Sequence, residues 1–259
     1  MRGETGITIF LFLASTLLTQ SRFEGTWEMK MDTARFSGGA EAYLLDQGIY
    51  HCLTCVPRVD VEMNGADQNV SGHPSFDSIA VRVKSANAVE FIMKKRGRPT
   101  FSCTETVSPS GNIMTEDFSD RPTSQPFTGK AVFVRRTRGT PGSHLLSGSW
   151  EMRTLTNLDG KGPTTSFQAT KEGMKVTTGG SYFEAKFDGK DYPMQEDAGH
   201  SAVSLRMLRD GTIEEMDKQN GKIVRITRMT VSRDGQSMRV KSIDKQLGRI
   251  STYTSKKLP

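Results

Sequence analysis

The sequence predicts an all-β protein: two tandem antiparallel meander β-barrels related by internal duplication. Three observations predict it. Several motifs recur at one near-constant offset, turn signals punctuate the chain about every 8 to 12 residues, and no stretch carries a helical period long enough for a β/α fold. Gly25-Thr26-Trp27-Glu28-Met29-Lys30 recurs as Gly148-Ser149-Trp150-Glu151-Met152-Arg153, an offset of 123 residues. Asn64-Gly65-Ala66-Asp67 matches Asp188-Gly189-Lys190-Asp191 at an offset of 124, as Ala88-Val89-Glu90 matches Thr212-Ile213-Glu214. Thr106-Val107-Ser108 through Met114 matches Thr230-Val231-Ser232 through Met238 at the same spacing. So long a period makes each copy a domain and not one stacking unit of a solenoid.

The elements follow in order. Residues 1–21 read as a signal peptide: Arg2 supplies the positive start, Ile7 through Leu18 the apolar run, and Thr19-Gln20-Ser21 the small residues before a cut at Arg22. The run is shorter than the roughly 20 residues that span a bilayer. An uncleaved anchor is the alternative. Copy one occupies residues 22–138, a Gly/Pro/Ser linker residues 139–146, and copy two residues 147–259. Export places the mature chain in the periplasm or outside the cell, where disulfides persist.

Copy two shows the strands most clearly. Ser181 to Phe187 alternates apolar with polar and meets Asp188-Gly189, a hairpin turn signal. Val203, Leu205 and Met207 alternate with polar neighbours as far as Arg209-Asp210-Gly211. Lys222 to Val231 ends at Arg233-Asp234-Gly235; Met238 to Ile243 follows, and Arg249 to Ser255 closes the chain. In copy one, Ala40 to Leu45 reads as one helical turn. Net charge is +6, but acidic and basic residues interleave, whereas a nucleic-acid binder clusters its cations on one element. The densest basic runs, Lys94 to Arg98 and Arg135 to Arg138, fall at an expected turn and an expected linker and read as solvated surface.

A Gly-x-Trp opening the first strand of an antiparallel barrel, here ending at Trp27 and at Trp150, resembles the lipocalin and calycin pattern. Glycine lets the chain approach closely while tryptophan plugs one barrel end. With the Asx-Gly-x-Asp and Thr-Val-Ser-x-x-Gly cues, nearly all of the mature chain is similar to secreted bacterial proteins built from lipocalin-like repeats. The chain departs from true lipocalins in having no Thr-Asp-Tyr-type second motif. That leaves open whether the barrels are hollow or filled by their own side chains.

Candidate chemistry centres on copy one. Cys52-Leu53-Thr54-Cys55 lacks the histidine that haem attachment needs after its second cysteine, and no second pair completes a zinc site. The repeat aligns it with Thr177 to Gly180, a turn. A disulfide stapling that turn, worth about 2 kcal/mol in chain entropy, is favoured over thiol-disulfide chemistry. Cys103 aligns with Thr227 and reads as a lone strand residue; its pairing with Cys52 or Cys55 stays open. His51, His73, His144 and His200 have no metal spacing, and Glu90 and Glu214 read as surface pairing residues. No nucleophile elbow or phosphate loop appears. Thus no catalytic residue, metal or cofactor is assigned. Two function classes remain. One is a non-enzymatic module binding a small apolar ligand; the other is a structural or protein-interaction protein of the cell envelope whose basic surface meets anionic polymers.

Overall fold

Strands run wherever apolar and polar residues alternate. A computed structural model describes residues 22–73, 75–121, 126–179, 181–195 and 201–259. The signal segment, Gly180 and His200 lie outside the described residues. The first half of the chain forms β1 (Gly25–Ser37), β2 (Glu41–Asp46), β3 (Ile49–Cys52), β4 (Val59–Glu62), β5 (Gln68–Asn69), β6 (Ser78–Ser85), β7 (Ala88–Lys95), β8 (Arg98–Val107), β9 (Ile113–Asp120) and β10 (Phe127–Arg138). The second half forms β11 (Gly148–Asn157), β12 (Thr164–Ala169), β13 (Gly173–Thr178), β14 (Ser181–Lys186), β15 (Tyr192–Pro193), β16 (Ala202–Met207), β17 (Ile213–Gln219), β18 (Lys222–Val231), β19 (Ser237–Asp244) and β20 (Arg249–Lys257). They build two ten-stranded antiparallel sheets, each nearly closed into a barrel. Among the described residues no helix is long and apolar enough to cross a membrane. The segment read as a helical turn is strand β2, because β11 on one side and β3 on the other supply its ladder bonds. The basic run from Arg135 to Arg138 lies in β10 and not in a linker.

The sheets part the chain differently from its two sequence copies. The first barrel runs β4-β3-β2-β11-β10-β9-β8-β7-β6-β5, and the second runs β14-β13-β12-β1-β20-β19-β18-β17-β16-β15. Each copy therefore lends its tryptophan strand to the other. The physical cause lies in residues 139–146. They form a hairpin connection, with β10 and β11 paired from Arg138↔Gly148 to Gly129↔Asn157. So short a connection sets consecutive strands side by side. β11 thereby takes the place next to β10, and β1 pairs instead with the last strand, from Trp27↔Lys257 to Ser37↔Ile250. Gly38 and Gly39, at φ +67° and +64°, carry the chain across into β2.

The repeated motifs have repeated structural work. Asn64-Gly65 and Asp188-Gly189 are corners at which the chain bridges to the strand that follows, and in the second barrel Tyr182 and Gln195 also pair across the Asp188 corner. Asn64 bridges to Arg82 of β6, and Asp188 to Arg206 of β16. Gly65 N–H donates to Val81 O at 2.9 Å and Gly189 N–H to Leu205 O at 3.0 Å. The Asx side chain turns the corner, accepting from the N–H of Ala66 at 2.8 Å or Lys190 at 3.0 Å. Asp67 then pairs with Lys94 and Asp191 with Lys218. The Thr-Val-Ser segments close the β8–β9 and β18–β19 turns, with Ser108 N–H to Ile113 O and Ser232 N–H to Ser237 O both at 2.8 Å.

Candidate functional site: the interior of the first barrel

The core of each barrel includes the borrowed tryptophan. Trp150 is fully buried in the first barrel, and its Nε1 donates to Leu146 O at 2.8 Å. Trp27 does the same in the second, donating to Phe23 O at 2.7 Å. A cation from the strand paired with the tryptophan strand covers each ring: Arg135 of β10 over Trp150 at 3.9 Å and Lys257 of β20 over Trp27 at 5.5 Å. Away from Trp150 the inward residues of β8 and β9 become less buried. The inward positions of β8 and β9 meet in register as Val107↔Met114, Glu105↔Glu116, Cys103↔Phe118 and Phe101↔Asp120. Val107 and Met114 are fully buried and Glu105 and Cys103 nearly so, whereas Phe101, Glu116, Phe118 and Asp120 are half-buried. Burial falls in the same direction from Val89 through Phe91 to Met93 on β7 and from Trp150 to Leu155 on β11, whereas the inward residues of β10 stay buried as far as Phe127, and on β6 Ile79 is buried while Val83 is exposed. At the end away from Trp150, Phe101 and Phe118 stack at 5.9 Å, and Phe118 stands edge-on to buried Phe127.

Polar groups converge half-way down. Two glutamates directly opposite on neighbouring strands repel when both are charged. Burial, with the charges of Glu116 and Glu41, holds the Glu105 carboxyl well above the usual range. Burial and then the charge of Glu41 push Glu116 up to about 7. Burial also raises the Cys103 thiol, aided by both glutamates. Glu105 Oε2 is buried and has no hydrogen-bond partner among the described residues. Cys103 Sγ and one oxygen each of Glu105 and Glu116 lie within 4.8 Å of one another. Tyr43 donates its hydroxyl to Glu41 Oε2 at 2.5 Å, and the other oxygen of Glu41 accepts from Arg249 Nη2 of the second barrel, also at 2.5 Å. Burial lifts the Tyr43 and Tyr50 hydroxyls well above their ordinary values, so both stay protonated donors near neutral pH. Such a cluster can accept from a basic or hydrogen-bond-donating head group, or release its protons to solvent as it binds a cation.

The second barrel has its own interior acids at different positions. Glu215 and Asp217 stand where copy one has Phe91 and Met93; Asp217 Oδ2 accepts from Arg225 Nε at 2.8 Å while its buried Oδ1 has no partner among the described residues. It has no thiol beside them.

Cys52 and Cys55 form a disulfide with Cα atoms 5.4 Å apart, in the β3–β4 hairpin. Cys103 is a free, buried thiol. The described histidines sit apart: His51 against Asp60 at 2.5 Å, His144 against Ser85 O at 2.9 Å, and His73 stacked on Phe76 at 4.5 Å. Glu214 pairs with Arg228 and Glu90 with Lys84 on the sheet surface. Sequence reasoning assigned no role to Glu105 or Glu116. Their signal was present, since acids stand at inward positions where copy two has Met229 and Val240. Outside the barrels, a groove of about 620 Å³ near the C-terminus is lined by Glu28, Lys30, Lys256 and Lys257. No protein-family model and no curated protein sequence matches the chain, so the reading of function rests on this geometry.

Proposed function

We propose that the chain is an exported, non-enzymatic binding module that holds a small, largely apolar ligand inside the first barrel. The observation that carries this reading is the mixed interior: apolar around buried Trp150, polar at Glu105 and Glu116, and aromatic and half-exposed at Phe101 and Phe118. A mostly apolar pocket with a few convergent polar groups of perturbed pKa is the usual form of a small-molecule site. Phe101, Phe118 and Met93 would hold the apolar body, and the carboxyl pair would orient a basic or hydroxyl head. The Cys52–Cys55 bond suits an oxidising compartment. The lipocalin resemblance of the Gly-x-Trp strand supports a carrier in the same way.

The test is binding of an apolar fluorescent probe to the purified protein, together with mass spectrometry of a solvent extract. Saturable binding weakened about tenfold by Phe118→Ala is expected, that being the scale of one buried ring lost from a pocket. Absence of saturable binding, or an unchanged affinity in that variant, would overturn the reading. The basic groove beside Lys256 favours the second reading, an envelope scaffold that contacts anionic polymers. Adhesion to such material that falls steeply with salt would support it, and salt-independent adhesion would count against it.

A further inference from the structure

The carboxyl pair and the thiol suggest something more specific about the head-group position. Building on the reading of the first barrel's interior as a ligand site, we propose that Cys103, Glu105 and Glu116 bind one divalent transition-metal ion of the Zn2+ type. Three observations converge on it. The three ligand atoms already lie within 4.8 Å of one another. Around a tetrahedral Zn2+ with bonds of about 2.0–2.3 Å the ligands stand about 3.4 Å apart, so side-chain shifts of about 1 Å complete the site. Cys103 and Glu105 alternate on β8 with a single residue between them, and Glu116 is the cross-strand partner of Glu105, so one face of one hairpin supplies all three ligands. Glu105 Oε2 is a buried acceptor left without a donor, in a residue only 4% exposed. An orphaned buried oxygen is costly unless something unseen satisfies it.

The donor set selects the class of ion. A thiolate with two carboxylates suits a borderline metal such as Zn2+ or Co2+. Ca2+ and Mg2+ need six or more oxygens or a retained water shell. Two carboxylates forced opposite each other become an asset, since the cation replaces their repulsion with shared coordination. Half-buried Glu116 is the most accessible of the three ligands, and the fourth position is free for water or for the head of a bound ligand. The second barrel serves as an internal contrast: at the corresponding positions it has Thr227, Met229 and Val240, none able to ligate as this set does. Binding takes protons off the groups that hold them, up to one each from the thiol and the two carboxyls, and releases them to solvent.

The experiment uses the purified, chelator-treated protein with its disulfide intact. Titration with Co2+ should give one equivalent of binding with a thiolate-to-cobalt charge-transfer band, displaced by Zn2+ and accompanied by proton release. Cys103→Ser should abolish the band, and Glu105→Gln should weaken Zn2+ binding about 10-fold or more. Because either substitution alters a buried side chain, the wild-type protein supplies an independent readout. Zn2+ should slow modification of Cys103 by a small methanethiosulfonate reagent by about 10-fold or more. Absence of the band, Zn2+ binding unchanged in Cys103→Ser, or an unaltered modification rate would each overturn the metal site. The apolar-probe assay repeated in chelator separates the two proposals. Probe binding without Co2+ binding removes the metal alone, and Co2+ binding without probe binding removes the apolar carrier alone.

Discussion

Arg135 gathers several interactions around Trp150 in the first barrel. Its guanidinium lies over Trp150 at 3.9 Å, donates to Ser147 O at 2.7 Å and to Leu145 O at 2.5 Å, and also bonds Gly111 O. Gly148 permits this, since a Cβ there would stand 2.8 Å from Arg135 Nη1. The planar fork explains why arginine holds the place: one cation covers a ring and satisfies three loop carbonyls at once. Arg135→Ala should therefore cost about 2–3 kcal/mol in urea unfolding, from the lost stacking and the stranded carbonyls. Arg135→Lys should recover only part of it. Lys257, at 5.5 Å from Trp27, has the weaker version of this contact, and Lys257→Ala should cost less than about 1 kcal/mol.

At the scale of elements, the Asx-Gly corner decides whether a sheet becomes a barrel. Gly65 has φ +78°, and a Cβ there would lie 2.7 Å from Arg82 Nε, on the strand that the corner must reach. Gly48, in the β2–β3 turn, has φ +81° with nothing within 4 Å. The pair separates backbone strain from closure. Gly48→Ala should cost about 1 kcal/mol, the strain of a left-handed residue alone. Gly65→Ala should cost more by about 1 kcal/mol or more, because Arg82 must also move. Equal losses in thermal or urea unfolding would show that the corner does not hold the barrel shut. In the sequence this motif reads as a hairpin, because Asn-Gly and Asp-Gly suit both; only pairing to a strand 18 residues away, Asn64 to Arg82, identifies the corner.

For the whole molecule, the exchange of β1 and β11 makes the two barrels unequal partners in folding. The first barrel is continuous, residues 41–157, whereas the second joins residues 25–37 to residues 164–257. Joining ends so far apart in the chain carries a loop-closure cost and delays folding. A fragment of residues 38–162 should fold cooperatively by circular dichroism and show dispersed amide resonances. A fragment of residues 139–259, the second sequence copy taken alone, should lack a cooperative transition and gain one when a peptide of residues 22–37 is added. Independent folding of the second fragment would mean that β11 can replace β1 and that the exchange is dispensable.

What is local or periodic can be read from the residues alone: the all-β class, the duplication, most strands of copy two and the hairpin that carries Cys52 and Cys55. Alternation, Gly and Asx turn residues and a constant offset are visible without any knowledge of contacts. Which copy closes which barrel depends on long-range pairing, since a short β10–β11 connection outcompetes the closure of each copy on itself. Tertiary contact likewise brings Glu41 to Arg249 across 208 residues. The candidate site is intermediate. Cys103, Glu105 and Glu116 lie on one hairpin, yet strand alternation does not say which face is the interior, nor that Glu116 stands opposite Glu105 and not one residue away. Register settles that, because a slip of one residue would turn the carboxyl outward into water, where it has nothing to bind and no reason to hold a proton.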